Sequence, residues 1–145
     1  MARHVWTVLC NQVIFDQDTG NASLINVIES IQLHGTPPNS SDGTPVQLPV
    51  KIAVVSYVIR EDRSAPEIAF ARASLLAPHG DTVERSEVIK IDLSNVTRAR
   101  TVGTQNHFHY VGAGIYEQLI ELSDDQVTWQ EVARVPIEVV VTAQE

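Results

Sequence analysis

His107 and His109 are the residues whose types and spacing come closest to declaring a chemistry in this chain. On a β-strand, residues two apart project from one face, so both imidazoles can reach a single divalent transition metal ion. A site of that kind needs further ligands, and Gln105, which shares their parity, is a poor one. His4, His34 and His79 lie elsewhere in the sequence and can approach only through folding. The competing expectation has Phe108 and Tyr110 in the core, with both histidines on the outer face. His107 and His109 are thus the metal candidates. No other cofactor is implied.

The remaining chemical candidates are weaker. Asp16-Gln17-Asp18-Thr19-Gly20 begins like a calcium loop, but the glycine comes one position early. Counting twelve from Asp16 gives Val27, where a bidentate glutamate is needed. Asp124 and Asp125 could complete a calcium site between loops, although turn formation accounts for all of these residues without an ion. Cys10 has no histidine near it in sequence beyond His4, and a buried thiol is usually a packing residue. No glycine-rich phosphate loop, Cys-x-x-Cys pair or nucleophile elbow is present. Glu61 and Asp62, flanked by Arg60 and Arg63, fit a solvated loop better than paired catalytic carboxylates. No catalytic or cofactor-binding residue is assigned. Trp6, Tyr57, Tyr110, Tyr116 and Trp129 could form a platform for a sugar, but most are expected in the core. Tyr116 follows Gly114 at a strand entrance, where its hydroxyl is placed to tie down a loop in the manner of a tyrosine corner.

The elements that would position these residues read as strands. Val13 to Ile25 is two β-rich runs around a polar cluster, and Gly20 and Asn21 tolerate the positive φ of a tight reversal; this predicts a hairpin with a loop of three to five residues. Val46, Leu48, Val50, Ile52 and Val54 alternate with Gln47, Pro49, Lys51 and Ala53, and both faces turn apolar towards Ile59, so a strand enters a covered region. Ile68 to Leu76 contains good helix formers, yet the turn at Pro78-His79-Gly80-Asp81 and the alternating run Thr82 to Leu93 favour strands. Residues 34 to 47, with Pro37, Pro38 and Pro45, are expected to form a long loop, and residues 94 to 104 a second one. Further strands are expected at Gln105 to Val111, Ile115 to Leu122 and Val127 to Val141. Ser123-Asp124-Asp125-Gln126 should turn the chain, and Pro136 should sit at an edge or bulge. About eight strands with two long crossings predict an all-β fold, an antiparallel β-sandwich of immunoglobulin or jelly-roll type, with a closed β-barrel as the alternative.

Composition limits what such a fold can do. A chain of 145 residues with 43% apolar side chains suits one domain, residues 1–145, with its own hydrophobic core. One cysteine allows no internal disulfide, and the opening apolar run is too short and polar for a secretory signal. A cytoplasmic location without a membrane partner is expected. The formal charge of −8 disfavours nucleic acid unless a local basic patch exists. The best such patch is Arg98 and Arg100, with Lys90 and Arg85 upstream; in a loop these are expected to be solvating charges.

Three segments carry a family resemblance. The first runs from Val8-Leu9-Cys10-Asn11 through Asp16, Thr19-Gly20 and Ser23-Leu24-Ile25-Asn26-Val27. The second is Leu75-Leu76-Ala77-Pro78-His79-Gly80-Asp81. The third is Gly114-Ile115-Tyr116 with the later strand Val132-Ala133-Arg134-Val135-Pro136-Ile137-Glu138-Val139. Together they resemble a bacterial all-β family of uncharacterised proteins, a domain of unknown function. The resemblance implies a sandwich-like fold and no activity. The Pro-rich loop after Gly35 and the histidines at 107 and 109 depart from it. The leading expectation is a small soluble binding or interaction module, non-enzymatic, that takes a protein partner or self-associates through an edge strand. The alternatives are a metal-dependent enzyme or metal-binding protein centred on His107 and His109, and a carbohydrate-binding module.

Overall fold

A computed structural model describes residues 1–36 and 43–142; Pro37, Pro38, Asn39, Ser40, Ser41 and Asp42 of the expected loop lie outside the described residues. The described residues are all-β, without helix, and hence without a helix long and apolar enough to cross a membrane. Twelve strands form, more than the eight expected: β1 (Arg3–Phe15), β2 (Ala22–Val27), β3 (Ser30–His34), β4 (Val46–Leu48), β5 (Ile52–Ile59), β6 (Ile68–Leu76), β7 (Thr82–Arg85), β8 (Ile89–Asp92), β9 (Arg98–Gln105), β10 (Phe108–Tyr110), β11 (Gly114–Ser123) and β12 (Gln130–Thr142). They make a four-stranded sheet ordered β2-β1-β5-β9, a pair β10-β4, and a six-stranded sheet ordered β3-β12-β11-β6-β7, in which β8 also pairs with β6. None of these sheets closes into a barrel. All pairings are antiparallel except β12 with β3.

The hairpin forms as its turn residues dictate. Phe15 pairs with Ala22, and the Asp16 and Asn21 backbones close the loop at 2.8 Å. Gly20 takes the positive φ of 72°; Asn21 does not, and the left-handed asparagine is Asn26 instead. The segment Ile68–Leu76 is a strand, interior to its sheet, where alternate alanines let neighbouring elements approach.

Several boundaries differ from expectation. The run from Val46 to Ile59 is two strands in two different sheets, because Pro49 bends the chain and the Val50 N–H bonds back to the Leu48 carbonyl at 2.8 Å. Alternation continues through that break, so periodicity alone does not reveal it. Thr82 to Leu93 is also split: the Ser86 hydroxyl takes the Ala73 N–H at 2.9 Å in place of a ladder carbonyl, and the edge restarts as β8. Gln105 closes β9, and only Phe108–Tyr110 of the next run is strand. The largest correction concerns 94 to 104, where a loop was expected and β9 pairs with β5 over eight residues from Arg98↔Ile59 to Gln105↔Ile52. As an edge strand, β9 buries little, so its sequence lacks the apolar alternation that marks half-buried strands. Pro136 lies in an interior strand, but β3 pairs only from Glu138 onward, so the proline stands where β12 is locally an edge.

One core cluster draws Leu9, Ile52 and Val54 from the four-stranded sheet and Leu75, Tyr116, Ile120 and Ile137 from the six-stranded sheet. A second joins Val58 to Ala69, Ala71, Ile91 and Leu122. Strand β5 shows why both its faces are largely apolar: Ile52, Val54 and Val58 enter these clusters, while Ala53 and Val55 pack with Cys10 on the opposite face. Tyr116 is fully buried, accepts the Val111 N–H at 2.8 Å and donates to the Gly112 carbonyl at 2.7 Å. Its hydroxyl ties down the 111–114 loop, as its position after Gly114 predicts.

Candidate functional site

The outer face of β1, β5 and β9 assembles a site from two cross-strand rows. Trp6 on β1 stands opposite Tyr57 on β5, which stands opposite Arg100 on β9. One row away, Arg3 faces Ile59, and Ile59 faces Arg98. Directly opposed residues share a face, so these six side chains converge without any loop rearrangement. The Trp6 and Tyr57 rings lie 5.6 Å apart between centroids and tilt by 38°. The β5–β6 connection contributes Arg60 and Arg63 beside them. Five of the chain's ten basic residues, Arg3, Arg60, Arg63, Arg98 and Arg100, thus gather on one face of an acidic protein.

Two of these arginines are fixed by backbone oxygens. Arg100 donates to the Gly20 carbonyl and lies 5.1 Å over the Phe15 ring, which ties the hairpin tip to β9. Arg60 donates to the carbonyls of Leu93 at 3.0 Å, Ser94 at 3.4 Å and Arg63 at 2.5 Å. Arg3, Arg63 and Arg98 form no ion pair with any described residue. The face holds two adjoining hollows of about 310 and 410 Å³ that share Tyr57 and Arg98, and neither is lined by a carboxylate. Unpaired guanidiniums beside aromatic rings can take an anion bidentately and stack a ring against the same wall.

The two histidines differ in exposure. His107 is exposed and precedes β10, while His109 is half-buried within it. Phe108 and Tyr110 are 1% and 4% exposed, so they occupy the core as the competing expectation had them. His109 Nδ1 lies 2.9 Å from Glu84 Oε2, without the alignment of a hydrogen bond. Among the described residues no three His, Cys, Asp or Glu side chains cluster as metal ligands.

The acidic turns use their carboxylates locally. Asp16 Oδ1 accepts the N–H groups of Asp18 and Thr19 at 2.8 and 2.9 Å, and Asp125 Oδ1 accepts those of Val127 and Thr128 at 2.8 Å. These hydrogen bonds hold both carboxyls below the usual aspartate range. Burial pushes the Cys10 thiol up, and the buried thiol donates to the Gln12 carbonyl at 3.5 Å, which makes it a packing group.

A cleft of about 230 Å³ opens between the inner faces of β5–β9 and β6. The Ser56 hydroxyl on its wall contacts Thr7 Oγ1 at 2.8 Å, which in turn contacts His4 Nε2 at 2.8 Å. Burial lowers the His4 pKa. Thr7 stands between the hydroxyl and the imidazole, so His4 cannot take the Ser56 proton directly. The cleft lacks the nucleophile–base contact of a hydrolase.

Of the five aromatics considered for a sugar platform, the fold keeps two together. Tyr110 and Tyr116 are core residues. Trp129 is half-buried with the Arg72 guanidinium 4.2 Å above its ring, and Val127, expected to share its face, is 81% exposed. Both precede β12, which begins at Gln130 rather than at Val127 as expected, so strand parity does not apply to them. Trp6 and Tyr57 remain, joined by arginines from segments expected to be loops. The available signal was the spacing of Arg98 and Arg100, which puts both on one face once residues 98–105 are read as a strand. No model of a known protein family matches this chain, and no curated protein matches it.

Proposed function

We propose that the chain is a small, cytoplasmic, non-enzymatic β-sandwich module that binds an anionic ligand on the outer face of β1, β5 and β9. The sandwich assignment is supported by two core clusters that each take side chains from the four-stranded and six-stranded sheets. The binding assignment rests on one observation: half of the basic residues surround a Trp–Tyr pair, with no carboxylate lining the hollows. In a chain of net charge −8, such a separation of charge creates a local field opposite to the global one. A sulfonate cation-exchange resin at pH 7.5 and low salt tests this. Retention despite the acidic net charge, lost in Arg98→Ala and Arg63→Ala, is the expected result. Wild-type protein in the flow-through overturns it.

Self-association is a second reading, carried by β9, which pairs with β5 on one side and has no neighbour on the other among the described residues. Sedimentation at high concentration showing a strict monomer ends it.

A further inference from the structure

The geometry points to an acidic polysaccharide, a chain of sugar rings bearing carboxylate or sulfate groups, as the occupant of the arginine–aromatic face. This rests on the anion-binding function proposed above and narrows it to one ligand class. Three features select it. The two hollows adjoin at Tyr57 and Arg98 and measure about 310 and 410 Å³, more room than a lone phosphate or sulfate requires. Trp6 and Tyr57 touch each other at 5.6 Å and are half-buried, leaving no slot between them for a flat base; they offer a tilted apolar wall against which a pyranose ring can lie. Arg98, at the junction of the hollows, and Arg63, in the second, are free to meet charges spaced along a chain, while Asn21 at the opposite end supplies an amide suited to hydroxyls. Charge complementarity fixes the sign of the ligand. The closed contact of Trp6 with Tyr57, rather than charge density, is what disfavours a nucleic-acid base here.

Isothermal titration calorimetry of the full chain, in low salt with four probes, tests the assignment: oligogalacturonate, heparin-derived oligosaccharide, neutral dextran and a dT12 oligonucleotide. Binding of one or both acidic saccharides is expected, and which one responds distinguishes carboxylate from sulfate recognition. Dextran should not bind. Arg98→Ala and Trp6→Ala should each weaken saccharide binding about tenfold, with Trp6→Phe recovering most of the loss. Arg98 is an exposed side chain, so its variant reports even if Trp6→Ala fails to fold. Equal binding of dextran, tighter binding of dT12 than of either acidic saccharide, or indifference to both Trp6→Phe and Arg98→Ala overturns the assignment. Retention on the sulfonate resin without saccharide binding sinks this inference alone. Loss of both sinks the anion-binding function with it.

Discussion

The outer faces of the two large sheets use the same residue types to opposite ends. On the six-stranded sheet, Arg72 stands directly opposite Glu121, bonds it at 2.6 Å and covers the Trp129 ring at 4.2 Å. Arg134 likewise meets Glu131 and Glu117. Arg72 and Arg134 thus each have a carboxylate partner, while Arg85 bonds the Ser74 hydroxyl and Lys90 forms no ion pair with a described residue, so the face is electrostatically closed around Trp129 but not at its β7–β8 edge. On the four-stranded sheet, Trp6 and Tyr57 already cover each other, Arg63 and Arg98 line hollows without a carboxylate, and Arg3 forms no ion pair with a described residue. An arginine beside an aromatic ring is therefore not in itself a sign of function. What separates structure from binding is whether the fold supplies the counter-charge.

The largest effect that can break this comparison is on stability. Arg72→Ala removes an ion pair whose two side chains are only 21% and 13% exposed, and uncovers Trp129; a loss of about 1–3 kcal/mol is expected by urea denaturation. A double-mutant cycle between Arg72 and Glu121 should return a coupling of about 1 kcal/mol, and a value near zero would mean that the closed face is closed only in appearance. Arg98→Ala should change stability by no more than about 0.5 kcal/mol while abolishing resin retention, which separates the open face from the closed one in a single variant. A stability loss at Arg98 as large as that at Arg72 would erase the distinction.

A smaller effect concerns pH and the edge of the open face, where His4 precedes Trp6. Burial depresses the folded-state pKa of His4, so the unfolded chain binds its proton more readily. Stability is full above the unfolded value of about 6.5 and falls as pH drops from there towards the folded value. The melting temperature should decline between pH 7.5 and 5.5, and His4→Gln should flatten that decline. A slope unchanged by the substitution would place the dependence elsewhere. The smallest expected effect is at Arg134, whose ion pairs are exposed to solvent: Arg134→Ala should leave the melting temperature where it was.

Local chemistry determined a good deal of this protein from sequence alone. The Asp16–Asn21 turn, the strand at Ile68–Leu76, the burial of Phe108 and Tyr110, and the anchoring hydroxyl of Tyr116 all follow from φ preferences, period-two alternation and the position of one glycine. These signals act over a few residues and survive folding unchanged. The candidate site was not legible in the same way. Its arginines sat in segments with no apolar alternation, because β9 is an edge strand and needs none, and its aromatics shared a plausible core parity with Val8 and Cys10. Only the antiparallel registers of β1, β5 and β9 place Trp6, Tyr57 and Arg100 in one row and Arg3, Ile59 and Arg98 in the next. Cross-strand neighbours separated by some fifty residues are set by the pairing of whole strands, and no local spacing encodes them. His107 stands before β10, and His109 lies within it beside Glu84. Side-chain types fixed what each face could do; the registers decided which charges would find partners and which would not.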